Sequence, residues 1–129
     1  MSKLSDWDID LQRGVYGENL VKDLVETVEV KTDYRWQETG NVYIEYSCFY
    51  KTSQQFENSG IAVTKAKYWA LVLPNKQAEP LIILVNTEHL KEALKKYGRR
   101  TECIISQNKS KGLLIKIEDI LKHIKEKYG

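Results

Sequence analysis

Two side chains of opposite charge stand two residues apart in a segment with strand-like alternation. The segment is TVEVKTD, in which Val28 and Val30 alternate with Glu29 and Lys31. Residues i and i+2 of a strand point to the same face, so the carboxylate and the ammonium lie side by side. Such a carboxylate can bind a divalent cation, and the lysine can orient a water or offset charge developing on a phosphate. The same spacing is also typical of a salt bridge on an exposed sheet face.

A second acid precedes this strand on a predicted helix. The stretch VYGENLVKDLV, residues 15–25, places Tyr16, Leu20 and Val21 in helical register. Glu18 lies at the margin of that apolar stripe, so it can lean over the sheet and complete a site with Glu29. The competing interpretation is a first-turn acid favoured by the helix dipole, with Lys22 as its partner.

The third acid of such a site has three candidates. Residues 41–46, NVYIEY, alternate as a second strand, and we expect this strand to pair with residues 28–33 as a hairpin. Glu45 would then share the sheet face of Glu29. Asp10 is the second choice, since WDIDL at residues 7–11 alternates like an extended segment that Gly14 ends. Asp33 is the third, because it lies about 13 Å from Glu29 along an extended strand.

The loop between the two predicted strands carries groups suited to a nucleic acid. Arg35 and Trp36 lie at its tip and suit a phosphate and a base or sugar. Gly40 precedes an asparagine there and predicts a turn with positive φ. We also assign Lys65 and Lys67 of the TKAKYW stretch to nucleic-acid binding. Trp36 has an alternative position, folded back over the sheet edge.

The remaining periodicities predict a single α/β domain over residues 1–129, with a mixed central β-sheet flanked by helices. Residues 49–60 are polar and predict a surface loop. The predicted strands cover residues 68–73, 81–85, 101–105 and 113–117, and the predicted helices cover residues 87–97 and 118–128. The last helix is expected to bury Ile120, Leu121 and Ile124.

Composition limits the classes of protein that fit. No apolar run approaches the roughly 20 residues of a membrane span, and the run at residues 81–85 has the length of a strand. The N-terminus lacks the apolar stretch of a secretory signal, and Cys48 and Cys103 have no CxxC spacing, so we expect an intracellular, cytoplasmic protein.

Residues 1–90 carry nine Lys/Arg and thirteen Asp/Glu, whereas residues 91–129 carry eleven and five. This asymmetry suits a metal site beside a polyanion-binding surface, and equally a solvated lysine-rich helix face.

The order of these motifs resembles the PD-(D/E)XK nuclease superfamily, which has a restriction-endonuclease-like core. The quoted segments are GVYGE at residues 14–18, VEVKTD, TGNVYIEY and SGIAVTKAKYW. Together they are similar to small virus- and phage-type members, and the size is similar to that of homodimeric Holliday-junction resolvases. The resemblance covers roughly residues 8–85, and residues 86–129 would be a C-terminal β/α extension.

This resemblance implies an activity and a set of site residues. Glu29 matches the acidic position of the motif, Lys31 its lysine, and Glu18 the helix glutamate of many members. The implied activity is a Mg²⁺- or Mn²⁺-dependent endodeoxyribonuclease of branched or structured DNA, acting as a homodimer in a phage or viral host cell. The aspartate of the PD half has no counterpart between Glu18 and Glu29, so Glu45 or Asp10 would replace it as a metal ligand.

Two other classes fit the same residues. A non-catalytic nucleic-acid-binding module needs the basic surface but no metal. A protein–protein interaction domain would use the eight tyrosines and three tryptophans at an interface.

Overall fold

The computed structural model describes residues 6–25, 27–103 and 109–129, with side chains described from residue 12 onward except at residues 24 and 25. Its four helices are α1 (Asp6–Val25), α2 (Trp36–Thr39), α3 (Thr87–Tyr97) and α4 (Ile117–Tyr128). Its seven strands are β1 (Val28–Thr32), β2 (Asn41–Tyr50), β3 (Gln55–Asn58), β4 (Tyr68–Leu73), β5 (Leu81–Asn86), β6 (Arg99–Cys103) and β7 (Ser110–Lys116).

The described strands form two sheets. Sheet A has the order β1-β4-β5, with β1 parallel to β4 and β4 antiparallel to β5. Sheet B has the order β3-β2-β7-β6 and is antiparallel throughout. A bulge interrupts the β2–β7 register between Glu45 and Ser47. The extra residue shifts which side chains of β2 share a face beyond this point.

One hydrophobic core joins both sheets to α3 and α4. β4 is the central strand of sheet A, and its apolar sequence suits this position. Its residues Leu71 and Leu73 are fully buried. The Asn86 side chain accepts hydrogen bonds from the backbone N–H groups of Glu88 and His89, which caps α3. Sheet B, α3 and α4 add the buried residues Val42, Ile44, Leu90, Ala93, Leu94, Ile115 and Ile120. The chain is a single small α/β domain, and residues 86–129 contribute to the same core as the rest.

The predicted hairpin of β1 with β2 is wrong, because the two strands lie in different sheets. β1 pairs with β4, and β2 pairs with β3 and β7. Two hydrogen bonds tie the chain after β1 to the end of β4. The N–H of Asp33 donates to the carbonyl of Val72 at 3.0 Å, and the indole N–H of Trp36 donates to the carbonyl of Pro74 at 2.7 Å. The chain is therefore anchored to sheet A before β2 begins.

Three local predictions also fail. Residues 7–11 belong to α1, which continues through Gly14 instead of ending an extended segment there. The polar stretch of residues 49–60 is not a plain loop, since it completes β2, forms β3 and ends in a 3₁₀ turn at Gly60–Ala62. Leu121 of α4 is exposed, whereas His123 is buried. The positive φ expected at Gly40 is confirmed, with a value of 72°.

The described side chains of α1 are exposed, including Val15, Tyr16, Leu20 and Val21. The expected packing of this apolar stripe on the sheet is therefore wrong. Among the described residues, no helix combines the length and apolar character needed to cross a membrane.

Candidate functional site

A cleft of about 510 Å³ lies where β1 ends beside sheet B. We call it the β1 cleft. The residues around it come from β1, from the loop that follows, and from β2, β6 and β7. They are Lys31, Thr32, Asp33, Tyr34, Arg35, Thr39, Asn41, Tyr43, Thr101, Glu102, Cys103 and Leu114.

The basic groups of the β1 cleft come from two predicted site residues. Lys31 is half-buried at the end of β1. Arg35 is exposed and makes a 3.7 Å ion pair with the equally exposed Glu38. Exposed ion pairs of this kind contribute little to stability, so the guanidinium can leave Glu38 for an anionic ligand at small cost.

Asp33 is the acid closest in sequence to these two cations, and its carboxylate is already held by the backbone. One oxygen accepts the N–H of Arg35 at 2.9 Å, and the other accepts the N–H of Tyr43 at 2.9 Å. These two bonds fix the loop after β1 against the start of β2. Each carboxylate oxygen has a further acceptor position, so Asp33 can still accept a hydrogen bond or bind a cation.

Tyr43 and β7 form the apolar and hydroxyl-bearing wall of the β1 cleft. The Tyr43 hydroxyl and the Ser110 hydroxyl are hydrogen bonded at 2.7 Å. Gly112 gives the ring its room, since a Cβ there would lie 2.5 Å from the Tyr43 ring. Partial burial raises the pKa of the Tyr43 phenol above its ordinary 10.0, although the bond to Ser110 acts in the opposite direction. The hydroxyl of Tyr43 is therefore engaged by Ser110 while the ring lines the cleft.

The acids near the β1 cleft suit a metal ion held by one carboxylate and several waters better than an ion held by several carboxylates. Glu29 lies on the same face of β1 as Lys31, about 6.7 Å earlier in the strand, and is not among the residues that line the β1 cleft. Glu29 and Asp33 are therefore about 13 Å apart at the backbone, too far to ligate one ion directly. Within the described part of the chain, no three His, Cys, Asp or Glu residues form a group that could hold a metal ion. Mg²⁺ commonly uses one or two carboxylates and retains several waters, and Asp33 fits that mode.

Glu45 does not share a face with Glu29, so that prediction is wrong. Its carboxylate accepts the Ser59 hydroxyl at 2.9 Å. Its carbonyl approaches Gly60 so closely that a Cβ there would lie 2.2 Å away. Gly60 has a φ of +52°, which favours glycine. Glu45 therefore belongs to β2 and holds the segment around the 3₁₀ turn against this strand.

The other predicted site residues lie outside the β1 cleft. Glu18 lies in a shallow depression lined by residues of α1 alone. The Asp10 backbone belongs to α1, and its side chain lies outside the described residues. Trp36 packs against the core in the folded-back position. Lys65 and Lys67 are exposed before β4, where the Lys67 ammonium lies 5.7 Å from the centre of the Tyr68 ring.

Sequence reasoning missed the opposite wall of the β1 cleft. Thr101, Glu102 and Cys103 belong to β6 and line it. The sequence predicts a strand for the segment TEC but no functional role. Alternation within a strand does not indicate which other part of the chain the strand lies beside. Only the β6–β7–β2 pairing brings β6 beside the residues that follow β1.

The fold and this cleft define an α/β domain with a mixed-charge groove at the end of a parallel strand. Comparison with family models, with curated proteins and with solved structures found no match.

Proposed function

We propose that the protein is a metal-dependent nuclease that hydrolyses phosphodiester bonds in DNA, with the β1 cleft as its active site. The observation that carries this proposal is the position of Lys31 beside Asp33 and Arg35 around one cleft. An ammonium and a guanidinium suit a phosphate, and a carboxylate suits its counter-cation. The resemblance of VEVKTD to the PD-(D/E)XK motif supports the same reaction.

The roles follow from the groups around the β1 cleft. Arg35 binds a phosphate oxygen and orients the DNA backbone. Lys31 orients the attacking water and offsets the negative charge that develops on the phosphate. Asp33 would hold Mg²⁺ or Mn²⁺, and Glu102 is the carboxylate on the opposite wall of the β1 cleft. When bound, such an ion polarises the phosphate and lowers the pKa of a coordinated water.

The experiment is cleavage of supercoiled plasmid and of a four-way junction in Mg²⁺ or Mn²⁺. Lys31→Ala should reduce cleavage by about 100-fold or more, since it removes a group that acts on the transition state. Lys95→Ala is the matched control, because this exposed lysine of α3 lies outside the β1 cleft, and it should cleave nearly as the wild type. Failure of the folded wild-type protein to cut any form of DNA or RNA would refute the proposal.

A non-catalytic nucleic-acid-binding module is the second candidate. It is favoured by the Asp33 carboxylate, both oxygens of which already accept backbone N–H groups. A calorimetric titration with Mn²⁺ separates the two candidates. Metal binding that Asp33→Asn weakens supports the enzyme, whereas DNA affinity without metal binding supports the module.

A further inference from the structure

A pair of phenyl rings, one half-buried and one exposed, lies on sheet B, beyond the residues that the proposed active site uses. Phe49 of β2 and Phe56 of β3 are direct cross-strand partners. Their ring centroids are 5.4 Å apart in an edge-to-face arrangement. All four residues of β3 are exposed, and Phe56 exposes 40% of its surface. The Phe56 ring is therefore the more accessible of the two to a ligand that stacks.

Two lysines of the C-terminal segment flank the rings. The Lys111 ammonium lies 4.3 Å from the centre of the Phe56 ring, and the Lys109 ammonium lies 5.9 Å from that of Phe49. Backbone pairing sets both positions, because Lys111 pairs with Ser47 and the Lys109 carbonyl accepts the Phe49 N–H at 2.9 Å. We call these four residues the aromatic–lysine surface.

The aromatic–lysine surface lies on the face of sheet B opposite Tyr43 and Leu114, which line the β1 cleft. Lys111 is the cross-strand partner of Glu102, which lines that cleft. From β6 to β3 the sheet spans three interstrand spacings, or about 14 Å. Glu102 is the acid opposite Lys111 on this face, whereas Glu57 alternates with Phe56 to the other face. The two ammonium groups therefore outnumber the carboxylate beside them.

We propose that the aromatic–lysine surface binds single-stranded DNA, with bases stacked on Phe49 and Phe56 and phosphates held by Lys109 and Lys111. Phenyl rings interleaved with cations are the arrangement that sequence-tolerant single-strand binding uses. Duplex DNA has no free base faces to offer to these rings, whereas a branched or frayed substrate does. The choice of DNA over RNA rests on the proposed nuclease function, but the binding itself requires no cleavage.

The test is fluorescence anisotropy of a labelled oligo(dT) in EDTA at low salt, so that cleavage plays no part. Phe56→Ala should weaken binding about fivefold or more, since a stacked base contributes at least that factor. Tyr16→Ala is the matched control, because Tyr16 is a 70% exposed aromatic residue of α1.

Lys111→Ala should reduce the slope of log affinity against log salt by about 0.7, whereas Lys95→Ala on α3 should leave that slope unchanged.

Phe56→Trp keeps the inference testable if the alanine variant unfolds. It should retain the affinity and add indole fluorescence that oligo(dT) quenches, beyond any quenching in the wild type. Absence of single-strand binding, or equal affinities for Phe56→Ala and Tyr16→Ala, would overturn the inference. Tighter binding of duplex DNA or of oligo(U) would overturn the assignment to single-stranded DNA. A protein that binds oligo(dT) through these residues but cuts nothing would refute the nuclease proposal alone.

Discussion

Asp33 connects the end of β1 to the start of β2 through its side chain. Its two oxygens accept the N–H groups of Arg35 and Tyr43. We predict that Asp33→Ala lowers the free energy of unfolding by about 1–3 kcal/mol, because it leaves two backbone donors without their acceptor. Urea denaturation measures this change.

Glu38→Ala is the control for Asp33→Ala. It removes an exposed carboxylate that is 3.7 Å from Arg35, and we expect a change of at most about 0.5 kcal/mol. Asp33→Ala could instead abolish metal or DNA binding and leave the unfolding curve unchanged. That result would refute the contribution of Asp33 to stability and would show that its carboxylate serves ligand binding only.

At the level of the elements, sheet A has one buried and one open face. On β4 and β5, Leu71 faces the core and is fully buried, whereas Ile82 is 57% exposed on the opposite face. We predict that Leu71→Ala destabilises the domain by about 2–5 kcal/mol, since it leaves a cavity in the core. Ile82→Ala should cost about 0.5 kcal/mol or less at protein concentrations where the chain is monomeric, as an exposed substitution does. Equal costs in urea denaturation would contradict this assignment of the two faces.

The contact between α3 and α4 is held by carboxylates that titrate. Glu92 accepts hydrogen bonds from Lys127 and is 3.1 Å from His123, and these two partners lower the pKa of Glu92 below its ordinary 4.5. Glu126 is similarly paired with Lys96 and Tyr97, which lower its pKa. A carboxylate with a lowered pKa stabilises the folded state above its ordinary pKa, and this contribution is lost as the pH falls through the folded value.

We therefore predict that Glu92→Gln lowers the urea midpoint near neutral pH and that its difference from the wild type shrinks as the pH falls below about 4.5. Urea midpoints measured from about pH 6 to pH 3 test this. Glu88→Gln is the control, because Glu88 is an exposed residue of the same helix, and its curve should run parallel to that of the wild type. A constant difference for Glu92→Gln across this range would contradict the prediction.

Across the whole molecule, the sequence predicts local elements well and their pairing poorly. Residues 68–73 and 87–97 form the strand and helix that their apolar spacing predicts. The partner of β1 is set by contacts distant in sequence, such as the bond from Trp36 to Pro74, and periodicity carries no such information. The face shared by Glu29 and Lys31 follows from alternation within one strand. Glu102 lines the β1 cleft because of the order of the strands in sheet B. The sequence does not indicate that order, so it could not predict a role for Glu102.

The last prediction concerns the oligomeric state. Exposed apolar residues occur on α1, including Val21, and on the outer face of sheet A, including Val30 and Ile82. Large exposed apolar surfaces mark association sites, and two copies related by a twofold axis would cover such surfaces reciprocally. We predict a homodimer with twice the chain mass in sedimentation equilibrium, and a shift toward monomer in Val21→Glu and Ile82→Glu. Val63→Glu is the control, since Val63 is 54% exposed beside the 3₁₀ turn. A wild-type protein that stays monomeric at high concentration would show that these surfaces do not drive self-association.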